Sequence, residues 1–189
     1  MADVQVKLNA LNSLHIAGKV TDVVKNSNGT KVHLKVSGHA GCFTLKVQLP
    51  VTSQAPKIGE FIHVVGNLRY SEDYKTYKVM ASAFSYLPQD MDLNLIYLEG
   101  TVLSGSPKQL DDKTFELELA AFNISKTGEV FIMPIKVNIT SASYTATNKM
   151  ISQYDRYIVE GYLFKDDKIL KIGAYHVKSA AGIYQSITL

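Results

Sequence analysis

The chain has 189 residues, 46% of them hydrophobic, and carries 20 Lys/Arg against 17 Asp/Glu for a net charge of +3. That suits one large or two small packed domains. No apolar run reaches the roughly eighteen residues of a membrane-crossing helix, and the single cysteine, Cys42, excludes an intrachain disulfide and a cysteine-built zinc site. The opening residues form neither a basic leader with an apolar block nor an Arg-rich amphipathic helix, which predicts an unprocessed cytoplasmic protein.

Residues 1–13 read as a lead-in to a first unit of five strands: His15–Val24, Thr30–Ser37, Phe43–Leu49, Glu60–Arg69 and Thr76–Tyr86. Each shows the two-residue apolar period of a half-buried strand, and turn-forming residues separate them. Gly18 and Gly66 fall mid-strand, where a glycine is costly unless the strand coils sharply or another backbone comes close. Leu87-Pro88-Gln89-Asp90 breaks the alternation and predicts a boundary between domains 1–90 and 91–189.

The second unit repeats the order: Leu95–Leu103 with Gly100, a loop over 104–112, then strands Lys113–Ile124 and Glu129–Thr140. Ser141–Arg156 has room for a short helix, and Tyr157–Phe164 with Gly161 and Ile169–Lys178 complete the copy. The last ten residues, AAGIYQSITL, are neutral and unpatterned. A period this long suits a duplicated domain rather than a solenoid. Five antiparallel strands with central glycines in strands one and four predict an all-β protein of two tandem five-stranded OB-fold (Greek-key) barrels. Two SH3-like barrels or one larger β-sandwich are the alternatives.

Charge is divided unevenly between the copies. Residues 1–93 hold ten Lys/Arg and seven Asp/Glu, a balance of +3, and residues 94–189 hold ten of each, a balance of zero. In an OB-fold the ligand lies across strands two and three, beside the loops after strands one and four. Parity in the first copy turns Val32, Leu34 and Val36 inward and Lys31, His33 and Lys35 outward; Leu45, Val47 and Leu49 go inward, so Thr44, Lys46 and Gln48 go outward. Strand one adds Lys19, and strands four and five add His63, Arg69 and Lys78. The loop after strand four offers Tyr70, Tyr74 and Tyr77 with Lys75 among them. Cations track phosphates, and flat rings stack on bases of any identity for about 1–3 kcal/mol each. The expected nucleic-acid-binding set is therefore Lys19, Lys31, His33, Lys35, Lys46, Arg69, Tyr70, Tyr74, Lys75, Tyr77 and Lys78.

In the second copy Phe115, Leu117 and Leu119 point inward, which sends Glu116 and Glu118 outward where the first copy has Lys31, His33 and Lys35. Carboxylates repel phosphate, so this half is expected to bind nucleic acid weakly, or to receive a protein partner or a second copy. Phe61 and Phe84 take the outward parity and hint at such a contact. Histidines occur at 15, 33, 39, 63 and 176 in no metal-ligand spacing. Nucleotide-binding, dinucleotide, nucleophile-elbow and zincin motifs do not occur, so neither a cofactor nor an enzymatic activity is expected.

The run Ile58-Gly59-Glu60-Phe61-Ile62-His63-Val64-Val65-Gly66-Asn67-Leu68-Arg69-Tyr70, followed by Tyr77-Lys78-Val79-Met80-Ala81, resembles the strand-four to strand-five signature of single-stranded-DNA-binding proteins. Leu14-His15-Ile16-Ala17-Gly18-Lys19-Val20 is similar to their opening strand. The resemblance implies binding of single-stranded DNA (more than RNA) without base preference, in replication, recombination or repair, by a nucleoid-associated protein of a cell, virus or plasmid. The chain contains no tryptophan, so tyrosine and phenylalanine would have to stand in for the family's stacking residues. An OB-fold protein-interaction or assembly module without nucleic-acid binding is the competing reading.

Overall fold

Alternating apolar and polar residues generate strands almost end to end. The computed structural model describes residues 11–27, 29–38, 41–51, 54–71, 75–103, 107–124, 130–142, 151 and 155–180. The strands are β1 (Asn12–Asn26), β2 (Gly29–Val36), β3 (Phe43–Gln48), β4 (Phe61–Ser71), β5 (Thr76–Leu87), β6 (Asn94–Val102), β7 (Lys108–Gln109), β8 (Thr114–Ile124), β9 (Val130–Thr140), β10 (Arg156–Asp166) and β11 (Ile169–Ser179). Only residues 141 and 142 among those described are helical; the rest of the expected helix, through Met150, lies outside the described residues.

Pairing closes two rings. β1 pairs β2 and β4, β2 pairs β3, β3 runs parallel to β5, and β5 pairs β4. The second ring repeats this with β6, β8, β9, β11 and β10, where β9 and β11 form the parallel pair. Ring closure in the order 1-2-3-5-4-1 is that of the OB-fold and leaves neither a sandwich nor an open sheet. The two-residue strand β7 lies inside the expected loop 104–112 and extends β8 at its edge. The rings are joined where β1 pairs β6, from Asn12 opposite Leu98 to Ile16 opposite Asn94.

Each ring is filled by its inward parity. Leu14, Ile16, Leu34, Ile62, Val64 and Leu68 are fully buried in the first, as are Ile96, Leu98, Leu117, Val159, Leu163 and Ile172 in the second. Each such side chain contributes about 1.5–3 kcal/mol through removal from water. The mid-strand glycines are there because backbone comes too close for a side chain. A Cβ at Gly66 would stand 2.3 Å from the Met80 carbonyl oxygen, and one at Gly161 would stand 2.2 Å from that of Gly173. Both sit at equivalent bulges, between Val65 and Gly66 and between Glu160 and Gly161.

The duplication extends to a polar clasp, buried in the first ring and part-buried in the second. Asn12 of β1 donates from Nδ2 to the Leu68 carbonyl (2.8 Å) and accepts at Oδ1 from the Leu68 N–H (3.0 Å). Asn94 of β6 does the same to Leu163, at 2.7 and 3.0 Å. In each ring an asparagine of the opening strand thus satisfies both backbone groups of a residue in the fourth strand, two positions past the bulge glycine.

The bulge also corrects one expectation. Phe84, assigned outward by simple alternation, lies opposite Val64 and packs against the core. The extra residue at the bulge shifts parity by one, so every side chain beyond it changes face. Phe61 does lie on the outer side, where the Lys19 ammonium stands 5.8 Å from its ring centroid.

Candidate nucleic-acid interface

The register of the first ring lines its outward side chains into a row. His33 lies opposite Lys46 across β2 and β3, and Lys78 lies opposite Arg69 across β5 and β4. Val47 is the parallel partner of Val79, so Lys46 and Lys78, each one residue earlier, stand side by side. A second row runs from Lys19 to Lys35 to Thr44. Lys31, Lys35, Lys46 and Lys78 are exposed, and none has an ion-pair partner among the described residues. A carboxylate does reach this face at His33, where Asp22 Oδ2 lies 3.3 Å from Nδ1.

The ring residues are arranged differently from the lysines. Tyr70 and Tyr77 face each other across the end of the β4–β5 hairpin, with centroids 5.1 Å apart at 53°. They share the inward parity of Leu68 and Val79, and both are half-buried against the core. The Tyr77 hydroxyl donates to the Pro134 carbonyl of β9, in the other ring. Burial, then Tyr70 and Glu118, push its pKa up to about 12. Tyr74 lies outside the described residues. Lys75 is exposed at the hairpin tip with φ 47, a left-handed conformation uncommon for a side-chain-bearing residue.

Beyond Val47 and Val79 the strands β3 and β5 part, and a cleft of about 370 Å³ opens between them. Its near wall carries His33, Thr44, Lys46 and Lys75, with Tyr70 and Tyr77 on its floor. Its far wall is the β10–β11 turn of the second ring, with Lys165, Lys168 and Ile169. Charge and parity in the sequence did not single out these last residues. The signal was present: if the loop after strand four serves the ligand in one copy, its counterpart Lys165-Asp166-Asp167-Lys168 deserves the same role. Two aspartates in that turn concealed it by cancelling its charge on paper.

The corresponding face of the second ring is not an open acidic surface. Glu116, expected to point into solvent, is 10% exposed at its side chain and is held by Lys136 (2.7 Å) and Lys171 (2.9 Å). Lys171 also reaches Asp166 at 2.7 Å. Burial opposes ionisation of Glu116, but the two ammonium groups prevail and hold its pKa below the ordinary value. For Lys171 burial acts in the opposite sense, and Asp166 with Glu116 outweighs it to raise the pKa. Glu118 remains exposed, opposite Lys136.

The ring closures and their shared sheet define a tandem OB-fold protein with one cationic ring. The chain is similar in fold to the wild-type single-stranded DNA binding protein from Thermus aquaticus, with a TM-score of 0.65 and 18% identity over 90% of this chain and 93% of that one. A deletion mutant of that Thermus aquaticus protein aligns with a TM-score of 0.65 and 16% identity, covering 90% and 94%. No family model matches the sequence, and no curated protein matches it.

Proposed function

We propose that this chain binds single-stranded DNA without sequence preference, as a non-enzymatic protein of replication, recombination or repair. The observation that carries this reading is the outward row His33, Lys46, Lys78 and Arg69, with Lys31 and Lys35 beside it, running across β2, β3, β5 and β4 of a closed OB ring. Exposed ammonium groups bind phosphates without regard to base, and the flanking phenol rings offer faces rather than a hydrogen-bonding code. The fold shared with the Thermus aquaticus protein supports the same conclusion. Residues 1–90 would form the cationic domain and residues 91–189 the neutral-to-acidic one. The second would meet a replication or repair protein, or a second copy, across outer aromatics such as Tyr162 and Tyr175, whose centroids are 5.2 Å apart.

The test is anisotropy of a labelled oligo-dT at low ionic strength against the wild type and K31E/K35E/K46E. The reading predicts a loss of at least about a hundredfold in the variant, since three phosphate contacts become repulsive. Affinity within a factor of about two would place the ligand on another face.

A further inference from the structure

Building on that reading, we propose that the cleft between the rings is a nucleotide-holding site made jointly by both. One phosphate region of the bound strand would lie between Lys46 and Lys75 on one side and Lys165 and Lys168 on the other, with its base against Tyr70 and Tyr77.

Four observations converge on this site. First, no carboxylate is among the described residues that line the cleft, although the turn forming its far wall has two. Asp166 is drawn away to Lys171 at 2.7 Å, and Asp167 takes the left-handed turn position at φ 54 without lining the cleft. The turn therefore delivers both of its positive charges to the cleft and neither negative one.

Second, Lys46, Lys75, Lys165 and Lys168 have no ion-pair partner among the described residues, so their mutual repulsion favours a bound anion. Third, Lys75 occupies a left-handed conformation that glycine or asparagine would adopt with less strain. That turn position brings Lys75 to the cleft wall, where its side chain is exposed. Fourth, the Tyr77 hydroxyl is committed to the Pro134 carbonyl. That bond fixes the hairpin to the opposite ring and orients the phenol, leaving only its ring surface to offer. A cleft with a flat aromatic floor and ammonium walls, of a volume common for small-ligand sites, matches a base with its phosphate better than an acidic peptide.

The consequence is that residues outside the cationic ring set part of the affinity. The experiment compares K165A/K168A with K108A/K178A, which makes the same charge change at exposed second-ring lysines away from the cleft, using labelled oligo-dT over a salt series. All four positions are exposed, so both variants retain the fold. The proposal predicts that K165A/K168A binds about tenfold more weakly at low salt. Its slope of log K against log salt should be shallower by about 1.4, or 0.7 for each lost phosphate contact. K108A/K178A should stay within about twofold of the wild type. If the two variants bind alike while K31E/K35E/K46E has lost binding, single-stranded DNA binding stands and the joint cleft does not. If the wild type itself does not bind the oligonucleotide, both fall.

Discussion

The two rings share a scaffold and differ in what they present. Both close in the same strand order, both carry a glycine at the bulge of the fourth strand, and both use an asparagine to clasp the same backbone position. Their inward parity is interchangeable in kind, aliphatic in each. Their outward parity is not: Lys31, His33 and Lys35 on β2 correspond to Glu116 and Glu118 on β8. Inward positions answer to packing, which tolerates few solutions. Outward positions answer to solvent and ligand and are free to diverge after a duplication. The contrast also shows two fates for surface charge: among the described residues Lys31, Lys35, Lys46 and Lys78 have no ion-pair partner, while the second ring ties Glu116 into a half-buried network with Lys136, Lys171 and Asp166.

That contrast can be broken most sharply at Lys171. Replacing it with alanine leaves Glu116 at the edge of the core with one partner fewer, and removal of one member of a buried ionic network costs about 3 kcal/mol. K35A, on the exposed face, should change stability by no more than about 0.5 kcal/mol. Urea denaturation of both variants measures the difference; equal effects would mean that the second-ring network is as dispensable as a surface pair.

Next in size is the shared bulge. G66A and G161A each force a Cβ to within 2.3 and 2.2 Å of a carbonyl oxygen. Each should cost about 1–3 kcal/mol as the backbone gives way. Similar losses in the two variants would sharpen the equivalence of the rings, and a neutral G161A would break it.

The smallest effect concerns pH and only the first ring. Burial and then His15, whose ring stacks 5.6 Å from that of His63, hold the His63 pKa below 6.5. A lowered histidine pKa means that the unfolded chain binds more protons. Stability should therefore fall as pH drops from 6.5 toward the folded-state value. H63Q should flatten that part of the stability–pH profile, and an unchanged profile would remove the assignment.

Much of this arrangement was legible in the sequence because the strand period is two. Alternation placed Leu34 and Leu45 inside and Lys35 and Lys46 outside, and the repeated mid-strand glycine marked where another backbone comes close. Alternation failed where its assumption of unbroken register failed, as at Phe84, which the bulge returned to the core. It also failed where the chain runs beyond its ring. Tyr70 and Tyr77 share the inward parity, yet they sit on a hairpin tip whose neighbour is Pro134, 57 residues away from Tyr77. Long-range encounters of that kind have no local pattern. The meeting of Lys165 and Lys168 with Lys46, and the capture of Glu116 by Lys171, belong to the same class, because each depends on how two elements pack.

The central claim is that the exposed lysines of the first ring, completed by the turn of the second, hold a phosphate backbone. The salt dependence of oligo-dT binding by the wild-type chain tests it most directly. With about five phosphate contacts, log K should fall against log salt with a slope of about −3.5. Binding that is absent at low ionic strength, or that does not weaken as salt is raised, would contradict the account.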